Sequence, residues 1–90
     1  MTNHIDPQQL EALVFRLLET AQREGLPMTP DERLAPEDAA KLLGLSPSTL
    51  KNARSPAHQQ KGPAFRRLPG PKGGRVSYAL TDLAQWMAAR

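Results

Sequence analysis

Leu10, Leu13, Val14, Leu17, Leu18 and Ala21 recur three and four positions apart. That spacing lines apolar side chains along one face of an α-helix. Its start is marked by Asp6 as a cap, Pro7 at the first helical position and Gln9 in capping-box position, with Ile5 and Leu10 at staple spacing. Gly25 is a stop signal. The pattern predicts a helix over residues 7–24, docked on the rest of the domain by its apolar stripe; a contact with a second protomer is the other use of such a stripe. Pro27, Pro30 and a mixed charge cluster make residues 26–35 a linker, at most partly ordered.

The pattern then tightens. Pro36 to Leu43 holds Ala39, Ala40, Leu42 and Leu43, with Glu37 and Asp38 at the end where the helix dipole favours acids. Gly44 suits the left-handed residue after a helix. Ser46 is an N-cap, Pro47 the first residue of a second helix, and Leu45 and Leu50 are spaced as a staple. This helix is expected to run to about Arg54 and to stop before Pro56. Ala40 supplies a small residue where two backbones approach, Gly44 the tight turn, and Leu50 and Ala53 the inner face of the second helix. That is helix-turn-helix spacing, with the second helix projecting.

Beyond a polar loop over residues 55–63, Phe65 to Leu68 and Arg75 to Leu80 flank the turn-rich stretch Pro69-Gly70-Pro71-Lys72-Gly73-Gly74. They predict a β-hairpin. Thr81 is the expected cap of a last helix, with Leu83, Trp86 and Met87 on one face. The fold class is therefore mainly α with a small β-hairpin: a winged helix-turn-helix over residues 34–90, preceded over 1–33 by an amphipathic helix and linker.

Charge sharpens this picture. Residues 1–45 carry four basic side chains against eight acidic, residues 46–90 eight basic against Asp82 alone, so a formal charge of +3 conceals halves of −4 and +7. A half with a single acid is an electrostatic footprint for a polyanion. On the projecting helix, Ser46, Ser48, Thr49, Lys51, Asn52 and Arg54 are candidate DNA contacts. Asn pairs with adenine, Arg and Lys with guanine, and Ser and Thr with phosphate or base edges; amides near Ser46 can hold a phosphate. On the hairpin, Arg66, Arg67, Lys72, Gly73, Gly74 and Arg75 form a narrow basic ribbon suited to backbone or minor groove. A nucleotide-phosphate loop is disfavoured, because Gly70, Gly73 and Gly74 lack its spacing and no Lys-Ser/Thr pair follows.

The chain lacks cysteine, which excludes a disulfide framework and a thiolate zinc site and fits a reducing cytoplasm. No apolar run approaches a membrane span, and Met1 to Pro7 shows no signal peptide. His4 and His58 are far apart, and neither nucleophile–base pairing nor metal-ligand spacing is visible. A catalytic role, a cofactor and a metal are therefore not expected.

Four stretches carry a resemblance. They are Pro36-Glu37-Asp38-Ala39-Ala40-Lys41-Leu42-Leu43-Gly44-Leu45-Ser46, Ser48-Thr49-Leu50, Gly74-Arg75-Val76-Ser77-Tyr78 and Asp82-Leu83-Ala84-Gln85-Trp86-Met87. Together they resemble the small winged helix-turn-helix domains of excisionases and AlpA-like prophage regulators, distant relatives of the MerR regulators. The resemblance implies a second helix in the major groove, a wing on adjacent backbone or minor groove, and Tyr78 and Trp86 in the core. Its first functional implication is an excisionase, which binds and bends double-stranded DNA near an attachment site, associates with itself along the site and assists a tyrosine or serine integrase. Its second is a transcriptional regulator. A phage packaging subunit and a protein adaptor using the Leu10 to Ala21 stripe are the remaining alternatives.

Overall fold

The computed structural model describes residues 6–54, 62–68 and 75–89. Its elements are α1 (Pro7–Arg23), β1 (Arg33–Leu34), α2 (Pro36–Leu43), α3 (Pro47–Ala53), β2 (Arg66–Leu68), β3 (Arg75–Ala79) and α4 (Leu80–Ala88). The expected mainly helical winged architecture with a leading helix is present. Helix α1 is capped by the Asp6 carboxylate, which accepts from the Gln8 N–H at 3.0 Å. Residue 5, the outer half of the expected staple, lies outside the described residues.

Helices α1 and α2 end in the same way. The Leu26 N–H donates to the Ala21 carbonyl, and the Leu45 N–H to the Ala40 carbonyl, both at 2.9 Å. Each bond spans the glycine after the helix and satisfies a carbonyl the helix leaves open. Gly44 sits at φ +72°, a conformation that costs an L-residue about 1–2 kcal/mol. Gly44→Ala is therefore expected to lose about 1 kcal/mol of stability after the compensating entropy of the unfolded chain. In urea this reads as a lower midpoint at unchanged slope.

The sheet has three strands in the order β1-β3-β2, all antiparallel. The hairpin β2–β3 was expected; β1 replaces part of the expected linker. Thr29 shapes the approach to it: its N–H donates to the Arg33 carbonyl at 3.0 Å, and its hydroxyl accepts from the Arg33 N–H at 3.1 Å. Glu32 adopts φ +59°, held by a bond from the Leu80 N–H to its carbonyl at 3.2 Å. That bond also explains a second correction. Thr81 is exposed and does not cap α4; the helix begins at Leu80 directly out of β3, with Ala79 in the cap position and no side-chain cap bond. The β1 approach satisfies its first amide instead.

One core draws on α1, β1, α2, α3, β3 and α4. Leu17 and Ala21 of α1, Leu34 of β1, Ala39, Ala40 and Leu43 of α2, Leu50 of α3, Tyr78 of β3 and Leu80, Leu83 and Ala84 of α4 form a single buried cluster. Leu10, Leu13, Val14 and Leu18 pack against it half-buried. The α1 stripe is thus docked on the rest of the chain. Trp86 and Met87 are also half-buried at the margin rather than central.

Candidate nucleic-acid interface

Helix α3 advances about 100° per residue, which fixes what it shows to solvent. Leu50 is fully buried and pins the inner side. Asn52 and Ser48 lie roughly 160–200° around from it, Thr49 and Lys51 on the flanks, and Arg54 only about 40° away. Burial follows the wheel: Ser48, Thr49, Lys51 and Asn52 are exposed, whereas Arg54 and Ala53 are half-buried. The chain returns across the end of α3 at Gly62, where a Cβ would lie 2.7 Å from the Ala53 Cβ. Only glycine permits that approach.

The start of α3 is largely satisfied internally. Ser46 Oγ accepts from the Thr49 N–H at 3.1 Å, and the two hydroxyls lie 2.7 Å apart. Pro47 has no N–H, so Ser48 carries the free amide of this first turn. Only one hydroxyl proton is used between Ser46 and Thr49, which leaves the other free to donate outward to an anionic oxygen.

Arg54 closes a strip that connects α3 to the wing. Its Nη1 donates to the Tyr78 hydroxyl at 3.1 Å. The rings of Tyr78 and Phe65 sit 6.2 Å apart, tilted by 53°. Arg67 lies over the Phe65 ring at 5.8 Å from its centroid, within cation–π range. Sequence reasoning placed Tyr78 in the core and missed both Phe65 and this hydrogen bond. Tyr78→Phe should therefore destabilise the protein by about 1 kcal/mol, since it removes the acceptor of a charged, half-buried donor. A denaturant titration of that variant against wild type measures the loss.

The wing arginines divide between two faces. Residues opposite each other in an antiparallel pair share a face, and faces alternate along a strand. Leu34 faces Tyr78 and Arg67 faces Val76, which puts Arg67 on the core side, toward α3. Arg66 faces Ser77 and Arg33 faces Ala79, so both lie with Arg75 on the outer side. Arg33 reaches along that side to Ser77: its Nε donates to Ser77 Oγ at 2.8 Å and its Nη2 to the Ser77 carbonyl at 3.1 Å. Asp31 is the neighbouring carboxylate. Its hydrogen bond from the Thr29 hydroxyl, with smaller contributions from its own backbone and from the charges of Arg33 and Arg66, holds it below the usual carboxylate range. Arg66, Arg67 and Arg75 are exposed; Lys72, Gly73 and Gly74 lie outside the described residues. Arg33 is not legible as a site residue from sequence alone, because it falls in the linker that Pro27 and Pro30 predict.

A shallow cleft of about 450 Å³ lies between the start of α2 and the length of α3, lined by Ala35, Pro36, Glu37, Pro47, Lys51 and Arg54. Among the described residues, no three His, Cys, Asp or Glu side chains are grouped to hold a metal, and no helix is long and apolar enough to cross a membrane.

The family model for a helix-turn-helix domain matches residues 34–90. That stretch runs from β1 through α4 and contains both α3 and the wing. No curated protein and no solved structure gives a significant match.

Proposed function

Because the chain belongs to the helix-turn-helix domain family, a family of DNA binders, we propose that it is a sequence-specific accessory factor of the excisionase type. In this reading α3 enters the major groove. Asn52 and Ser48 face the base edges, with Lys51 and Thr49 toward the flanking phosphates. Arg54 works from the margin. Its bond to Tyr78 ties the end of the recognition helix to the wing strand β3, and its remaining guanidinium donors are left for the duplex. Arg67 and Arg75, with Lys72, Gly73 and Gly74 of the tip, meet the adjacent backbone or minor groove.

The observation that carries the reading is the exposure of Ser48, Lys51 and Asn52 on the side of α3 opposite fully buried Leu50. That polar surface stands in the half of the chain with a charge of +7. The finer assignment draws on the four stretches that resemble excisionases, all within the matched region. The protein would bind double-stranded DNA beside an attachment site, bend it and help an integrase assemble for excision, without chemistry of its own. The same surfaces would serve a transcriptional regulator.

A footprint on the attachment site and on the region upstream of the gene separates the two. Protection at the attachment site, with excision lost when the gene is deleted, is the expected result. Protection confined to the upstream region, with excision unchanged, would make the protein a regulator.

A further inference from the structure

The cleft between α2 and α3 brings together charges that the sequence keeps apart. Pro47, Lys51 and Arg54 stand four and three residues apart and make one flank of α3. That flank lies roughly 100° around the helix from the side that shows Ser48 and Asn52. The other wall of the cleft is the first turn of α2, with Ala35, Pro36 and Glu37. Residues 46–90 hold one acid, Asp82. The fold therefore carries Glu37 from the acidic half of the chain onto the basic flank of the recognition helix.

A helix dipole accounts for acids in a first turn, and Glu37 and Asp38 both occupy that of α2. It does not account for their different placement. Asp38 is half-buried and lies outside the lining of the cleft, whereas Glu37 is exposed and part of it. A volume of about 450 Å³ has the breadth of roughly one Debye length at physiological salt, so the charges around it act on whatever enters.

The consequence concerns how α3 meets DNA. Lys51 and Arg54 draw phosphates by charge alone, whatever the base sequence. A duplex drawn in along their flank would fill the cleft and leave Ser48 and Asn52 turned away from the base edges. We infer that Glu37 is a specificity-determining residue. Its carboxylate repels a phosphate that enters the cleft, and so disfavours docking by the basic flank relative to docking by the Ser48–Asn52 side. Discrimination then comes in part from a repulsive contact against the wrong arrangement, beside attraction to the right one. The inference rests on the DNA-binding reading and deepens it.

Anisotropy titrations test it, on the duplex protected in the footprint and on a scrambled duplex, each over a salt series. Glu37→Gln should raise affinity for the scrambled duplex roughly two- to fivefold, the effect of one charge pair near a surface, and leave the protected duplex nearly unchanged. The ratio of the two affinities falls by the same factor. On the scrambled duplex the salt slope should steepen, by at most about one contact. Asp38→Asn is the matched control, since it removes the same charge from the same turn outside the cleft. It should weaken the helix dipole similarly in a denaturant titration, yet hold the affinity ratio near that of wild type. With Lys51→Ala in place, Glu37→Gln should no longer gain affinity for the scrambled duplex. An unchanged ratio for Glu37→Gln would overturn the inference and leave the DNA-binding reading standing on wild-type affinity. So would an equal effect from Asp38→Asn, which would reduce the matter to net charge. A fall in affinity for the protected duplex alone would make Glu37 a base contact instead. Wild type that binds neither duplex would remove the reading and the inference together.

Discussion

Leu50→Ala is expected to cost about 2–5 kcal/mol of stability, the range for truncating a fully buried leucine to alanine. The upper part of that range applies. Leu50 is the buried residue of α3, and a seven-residue helix is too short to persist by its own propensity. Its attachment rests on that side chain and on the close approach of Gly62 to Ala53. A small domain holds about 5–15 kcal/mol in total, so a large share of the protein would lose its helix-turn-helix. Denaturant titration measures the loss. Asn52→Ala, on the opposite side of the same helix, should move the midpoint little and serves as the matched control.

Asn52→Ala should have its large effect on DNA. A lost paired hydrogen bond to a base is worth about 1–3 kcal/mol of discrimination, roughly five- to 150-fold in the ratio of cognate to non-cognate affinity. Binding to unrelated sequences should stay nearly as in wild type. Arg75→Ala should behave in the reverse manner, weakening every duplex alike, because a phosphate contact carries no sequence information. Anisotropy titrations of both variants against cognate and scrambled duplexes distinguish the patterns. A uniform loss for Asn52→Ala would move that residue from base reading to backbone contact.

Much of this arrangement is legible in the sequence, and the reasons are local. Pro7, Pro36 and Pro47 open helices, Gly25 and Gly44 close them, and Leu50 declares its buried side by spacing alone. What escaped was set by contacts distant in sequence. Strand β1 is two residues long, too short for an alternating pattern, and exists because Leu34 pairs with Tyr78. The first amide of α4, at Leu80, donates its hydrogen bond to the Glu32 carbonyl, so the nearby Thr81 misleads as a cap. Arg54 looked like one more outward cation, although the helical wheel already sets it about 40° from Leu50. Its partner Tyr78 is 24 residues away and could not be assigned from local pattern. The division of Arg66 from Arg67 follows from strand alternation, but which face meets the core needed the register with β3.

The most direct test of DNA binding is the salt dependence of duplex affinity. Wild type should bind labelled duplex at about 50 mM salt and weaken steeply toward 200 mM, as counterions released from the phosphates oppose the complex. Arg75→Ala should reduce the slope of log affinity against log salt by about one contact. An absence of binding to any duplex at the lower salt, or a slope that Arg75→Ala leaves unchanged together with its affinity, would contradict the placement of α3 and the wing on DNA.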